Sequence, residues 1–185
     1  MPRQPRKVTA QSLENAALYY LQRFATSAEA LRRVLMRRVE RSADAHDTDR
    51  EAGAALVDAL VARYRAAGLL DDRVYAGGRA ENLHRRGVPT SGIRARLRQK
   101  GVGDDDIAAA LASLDDAVAA DAVAADTDAV AAVNLARRRR LGPFRPAAER
   151  TAKRDKDLAS LARAGFSWDL ARHIIDADTP EDLAL

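Results

Sequence analysis

The sequence predicts an all-α fold in which small three-helix units are stacked in series. Three observations carry that expectation. Alanine, leucine and arginine dominate, aromatic residues make up only 4%, and no Val/Ile/Thr-rich run alternates with period two. Glycine and proline recur where one apolar stripe stops and the next begins. The stretch LLDDRVYA at 69–76 is echoed by SLDDAVAA at 113–120. Alanine-rich helices each bury little area, so 185 residues of them suit several small cores better than one large one.

The elements follow in order. Residues 1–11 are basic and lack an apolar segment behind them, so they read as a disordered arm rather than a signal peptide. A first helix opens behind Ser12, with Leu13, Ala17, Tyr20 and Leu21 at helical spacing, and a second spans Ala28 to Val39 behind Thr26-Ser27. SADAHDTDREAG is polar and aperiodic, so about 42–51 is expected to be an inserted loop. Leu56, Leu60, Val61 and Tyr64 carry a third helix ending at Gly68, which closes a first repeat over 12–70.

Helices over Val74–Arg86, Ser91–Lys100 and Asp104 to about Leu114 make a second repeat, 71–116. An alanine-rich lead-in, then helices at Ala129–Leu141, Pro146–Ala164 and Trp168–Asp176, make a third, 117–176, with 177–185 as a tail. Laying LRQKGVGDDDIAAAL (from Leu97) on LARAGFSWDLARHI (from Leu161) aligns leucine, glycine, a following apolar residue, a polar cap and a new stripe. Such an array is elongated.

The adjacent carboxylates Asp71 and Asp72 pose a choice between catalysis and capping. Leu-Asp-Asp occurs twice, each time before a helix, where a carboxylate accepts from free N–H groups and favours the positive end of the dipole. No third acid, histidine or phosphate loop adjoins the pair, so both are expected to be caps. His46, His84 and His173 lie far apart, and Asp44-x-His46-Asp47 reads as solvated loop rather than a metal site. No Gly-x-Ser-x-Gly elbow or GK[ST] loop is present. No catalytic, cofactor or metal residue is assigned. The chain has no cysteine, which fits a reducing cytoplasm, and no apolar run of membrane-spanning length.

Charge is segregated. Arg79 to Lys100 holds seven basic residues against Glu81, whereas Gly101 to Ala132 holds eight aspartates and no basic residue. Arg32, Arg33, Arg37, Arg38 and Arg41 crowd the second helix, and Arg137, Arg138, Arg139 and Arg140 stand in a row. In the fifth helix Ile93 and Leu97 face inward, Arg94 and Arg98 lie on one flank, and Arg96 and Lys100 lie on the other. The expected binding faces are Arg32, Arg33, Arg37, Arg79, Arg85, Arg86, Arg94, Arg96, Arg98, Lys100 and Arg137 to Arg140, aimed at phosphates or an acidic groove. Aromatic residues are almost absent from these faces, which argues against sequence-specific reading of single strands.

The succession ALYYLQRFATSAEALRRVL, GLLDDRVYA, GIRARLRQKGV and ARAGFSWDLARHII resembles the RecX family of regulatory proteins, in the family's order from about Leu13 to Ile175. The resemblance implies three tandem three-helix repeats in a curved, elongated monomer. It implies a protein without enzymatic activity or cofactor that binds in the groove of the RecA–DNA filament and modulates, usually inhibits, the recombinase in DNA repair, recombination and the SOS response. Three features depart from the family pattern: the insertion at 42–51, the run Gly87 to Gly92, which has no arginine at its end, and the unusually alanine-rich stretch AVAADAVAADTDAVAAV at 117–133. The alternative is a generic helical module binding nucleic acid through phosphates alone. Ser167 is expected to cap the last helix, and Trp168 to pack into its core, where truncation of a buried ring costs on the order of 3–5 kcal/mol.

Overall fold

A computed structural model describes residues 7–46, 48–121 and 126–183. Among these residues there are nine α-helices, two short 3-10 turns and no strand. The helices are α1 (Ala10–Leu21), α2 (Ala28–His46), α3 (Arg50–Ala66), α4 (Asp72–Arg85), α5 (Thr90–Gln99), α6 (Asp104–Asp121), α7 (Thr127–Arg139), α8 (Ala147–Ala164) and α9 (Trp168–Ile175). They fall into two compact units: one runs to Tyr75 and includes Lys100–Gly103, and the other holds 76–99 and everything from Asp104 onward. The first turn of α4 belongs to the first unit, and the rest of α4, with α5 and α6, belongs to the second.

The first unit is built by α1, α2 and α3 around Leu13, Leu31, Leu35, Val39, Val57 and Tyr64. Gly53 lets α3 approach α2, since a methyl there would stand 2.4 Å from Val39 Cγ1. Helix α1 starts at Ala10, earlier than the sequence suggests, because Thr9 caps it: its hydroxyl accepts from Ser12 N at 3.2 Å, and Ser12 Oγ accepts from Thr9 N at 2.9 Å. Val8 N donates to Ser42 Oγ at 2.9 Å. Ordered chain thus reaches back into the expected 1–11 arm, while residues 1–6 lie outside the described residues.

The expected 42–51 loop is mostly helix. Ser42 and Ala43 are buried on α2, which continues to His46; Ser42 Oγ also bonds Thr48 Oγ1 at 2.7 Å, and Asp49 caps α3 through Glu51 N and Ala52 N. Polar sequence hid a helix whose exposed face is charged: Arg50 bridges Glu40 (2.9 Å) and Asp44 (2.7 Å). Asp44 and His46, expected in a solvated loop, lie instead in the last turn of α2. Asp47 lies outside the described residues.

The second unit packs Ala131, Leu135, Leu158, Leu161, Phe166 and Ile174 into its largest core. Inside it, the 2%-exposed Asp157 accepts from Gly142 N (3.0 Å) and from Arg145 Nε (3.1 Å) and Nη2 (2.9 Å). Buried His84 donates from Nε2 to the Thr127 carbonyl at 2.8 Å, and Thr127 Oγ1 donates to Asp115 at 2.6 Å. Helix α6 runs to Asp121, so the expected boundary at 116/117 falls inside a helix; residues 122–125 of the alanine-rich lead-in lie outside the described residues. The expected tail from 177 includes a 3-10 turn whose Leu183 is buried against the core.

Candidate functional site

The two carboxylates of the Leu-Asp-Asp step do different things. Asp71 Oδ1 accepts from Val74 N at 3.0 Å and caps α4. Asp72 Oδ1 accepts from Ala28 N at 2.8 Å, closing the start of α2, where Ser27 Oγ also accepts from Ala30 N at 3.2 Å and donates to the Lys100 carbonyl. Ser167 Oγ accepts from Leu170 N at 3.3 Å, capping α9.

The second unit holds a cavity of about 560 Å³ lined by six arginines: Arg79, Arg86, Arg96, Arg138, Arg139 and Arg163. Among the described residues no carboxylate lines it. Local helix geometry explains how they converge. Arg79, Leu83 and Arg86 follow one face of α4 and its exit, and Leu135, Arg138 and Arg139 follow one face of α7. Arg96 stands beside the inward pair Ile93 and Leu97 of α5, and Arg163 lies in the last turn of α8. Gly87, with φ +76°, makes the join: a Cβ there would stand 2.6 Å from Leu135 Cβ and 2.7 Å from Leu135 N, so only glycine lets the end of α4 abut α7.

Hydrogen bonds hold two of the arginines in place. Arg138 donates from Nη1 to the Arg86 carbonyl, and Arg139 donates from Nη1 to Ser160 Oγ at 3.0 Å. Guanidinium stays charged at any physiological pH and offers five N–H donors in a planar fork that matches phosphate and carboxylate oxygens. Six such groups around one volume, with no counter-charge among the described residues that line it, make a focused positive potential suited to an extended polyanion.

Five of the expected basic residues meet here: Arg79, Arg86, Arg96, Arg138 and Arg139. The others do not line the cavity. Arg85 and Arg94 are exposed elsewhere, Arg98 pairs with Asp104 at 2.8 Å, Arg137 lies over the Phe144 ring at 5.6 Å, and Arg140 ends α7 in the left-handed conformation. In the first unit Arg32 binds Asp58 at 2.6 Å, holding that carboxyl below the usual carboxylate range, and Arg33 binds Glu29 at 2.9 Å. Arg37 is exposed, and Lys100 belongs to this unit through its backbone.

Sequence reasoning missed Arg163. The signal was present, since laying LARAG on LRQKG brings Arg163 beside the basic residues that precede Gly101. Trp168 requires a correction: it is 55% exposed. It occupies the first position of α9, while Ala171, Ile174 and Ile175 take the buried face. Among the described residues no group of His, Cys, Asp and Glu could hold a metal ion, and no helix is long and apolar enough to cross a membrane.

Residues 71–111 match a family model described as the second three-helix domain of RecX. Over 178 residues the chain is 43% identical to the regulatory protein RecX of Myxococcus xanthus (strain DK1622), covering 96% of this chain and 91% of that one. The chain belongs to the RecX family. A second RecX regulatory protein, from Agrobacterium fabrum (strain C58 / ATCC 33970), is 31% identical over 90% of this chain and 83% of its own length. A crystal structure of a regulatory protein RecX shares the fold, with a TM-score of 0.58 at 23% identity over 90% of this chain and 71% of that one. The all-α, three-helix-repeat expectation for a RecX protein thus stands, and the domain model spans α4, α5 and α6 as far as Leu111.

Proposed function

We propose that this RecX-family protein binds the nucleoprotein filament of the RecA recombinase and restrains its activity in DNA repair and recombination, with the arginine-lined cleft holding the phosphodiester backbone. The observation that carries this reading is the convergence of six arginines, from four helices and the turn after α4, on one cavity that no carboxylate of the described residues lines. A filament groove presents DNA phosphates beside protein surface, and a cleft of this charge is attracted to the first while other faces meet the second. Bound there, the protein would hinder the strand movements and filament growth that recombination needs. In this reading it acts in the cytoplasm as a monomer, without catalysis or a cofactor of its own.

The second reading, a module that binds nucleic acid through phosphates alone, rests on the same cleft. Affinity for bare single-stranded DNA and for RecA-coated single-stranded DNA, measured at one salt concentration, separates the two. Clearly tighter binding to the coated strand supports filament recognition, and equal affinity leaves the phosphate-binding module in its place.

A further inference from the structure

We propose that Trp168 is a base-stacking platform, so that the arginine cleft and this indole together hold single-stranded nucleic acid, phosphates in the cleft and a base on the ring. The inference rests on the cleft being a phosphate site, and adds to it a residue that touches bases.

Position argues first. The last turn of α8, Arg163 and Ala164, forms part of the cleft wall, and Trp168 follows four residues after Ala164. Four residues of chain reach at most about 14 Å, so the Cα of Trp168 lies within that distance of the Ala164 Cα at the cleft wall. The turn also runs along that rim: a Cβ on Gly165 would stand 3.4 Å from Pro89 Cγ, and Pro89 lines the cleft.

Exposure argues next. A tryptophan at the head of a short amphipathic helix could tuck under its own apolar face, yet this one keeps 55% of its surface in solvent while Ala171, Ile174 and Ile175 are buried. Its surroundings decide between partners. An aromatic anchor for protein docking is ringed by apolar contacts that exclude water. Here Ser167, Asp169 and Arg172 are all exposed, and Arg172, one turn on, shares the flank of the ring. An exposed indole one turn from Arg172 and close along the chain to Arg163 fits a base whose neighbouring phosphates need neutralising, and stacking serves any base because each has a π-face. Asp169, about 100° around the helix, lies off that flank.

Trp168 is the chain's only tryptophan, so its emission reports on the ring in the unmodified protein. The wild-type protein is titrated at low salt with oligothymidylate and with an abasic deoxyribose-phosphate strand of equal length. The expected result is quenching by the thymidylate alone, with both strands bound. Trp168→Ala should weaken thymidylate binding about five- to hundredfold and leave abasic binding unchanged, while Trp168→Phe keeps most of the affinity. Thymidylate binding without any change in emission, or equal weakening of both strands in Trp168→Ala, overturns the stacking role and leaves the cleft intact. Quenching by thymidylate with no abasic binding keeps the stacking role and refutes the cleft as a phosphate site.

Discussion

Neutralising Arg96 and Arg163 together tests the cleft at its least structural members. Both side chains are exposed in the second unit, on α5 and α8, and among the described residues neither has a hydrogen bond or ion pair of the kind that ties Arg138 and Arg139 down. Glutamine is nearly as good a helix former as arginine, and losing a cation from the last turn of each helix costs less than about 1 kcal/mol apiece. The fold should therefore survive in Arg96→Gln/Arg163→Gln. The salt dependence should not. If all six arginines meet phosphates, log K for a single strand falls with log salt at a slope of about −4, taking about 0.7 per neutralised phosphate. Removing two contacts brings the slope to about −2.8. Fluorescence anisotropy of a labelled oligonucleotide across a salt series measures both slopes. Arg94→Gln/Arg98→Gln changes the same charge on α5 outside the cleft and should keep the wild-type slope. Equal flattening by both pairs would show that general positive charge, not the cleft, binds the strand.

Three further expectations concern stability and titration. Asp157→Ala leaves the Gly142 N–H and the Arg145 guanidinium without their buried acceptor, and urea unfolding should show a loss of about 3 kcal/mol or more; an unchanged midpoint would mean that water replaces the carboxylate without cost. Asp71→Ala with Asp72→Ala removes one acceptor from the start of α4 and one from the start of α2, for a combined loss of about 2 kcal/mol by thermal melting, whereas Asp71→Asn alone should be nearly silent because asparagine caps as well. Arg154 grips Asp176 with two hydrogen bonds, at 2.7 and 2.6 Å, which lowers that carboxyl below its usual range. Its stabilisation is complete above the ordinary aspartate value of about 4 and is lost as the pH falls through the lowered one. NMR titration should find Asp176 back near that ordinary value in Arg154→Gln, and an unmoved titration would assign the shift to another group.

Much of this architecture is legible before any coordinates. Glycine stops at 68, 87, 101 and 165 all adopt positive φ. Leu31, Leu35 and Val39 of α2, Leu60, Val61 and Tyr64 of α3, Ile93 and Leu97 of α5 and Ile107 and Leu111 of α6 are buried, whereas Leu56, expected on the α3 stripe, is exposed. The failures have physical causes. Residues 42–46 look like loop because their outward face is charged, yet Ser42 is wholly buried: a single hydroxyl bonding Val8 and Thr48 satisfies what composition alone cannot reveal. The glycine stop and serine cap put Trp168 in the first turn of α9, but they do not fix which way that first turn faces, and the ring is exposed. The cleft was half legible. Runs of arginine are visible in a sequence, but which of them converge depends on Gly87 bringing α4 against Leu135 of α7, a contact across 48 positions of chain that has no local signature.

The carboxylate of Asp72 has a consequence for how the protein is made. It closes the start of a helix laid down 44 positions earlier, and Ser27 beside it waits for a carbonyl 73 positions ahead, at Lys100. As the chain emerges from the ribosome, α1, α2 and α3 can collapse on their apolar residues, but α2 keeps a frayed first turn until Asp72 appears. The first unit is complete only after Gly103 is out. By then α4 and α5 have already been synthesised, before most of the unit they pack into exists. Truncation after the third helix would therefore yield a fragment lacking one of the two side-chain acceptors at the head of its longest helix, and released chains ending between residues 75 and 100 should be more open to protease at Ala28 than those ending a few residues beyond Gly103.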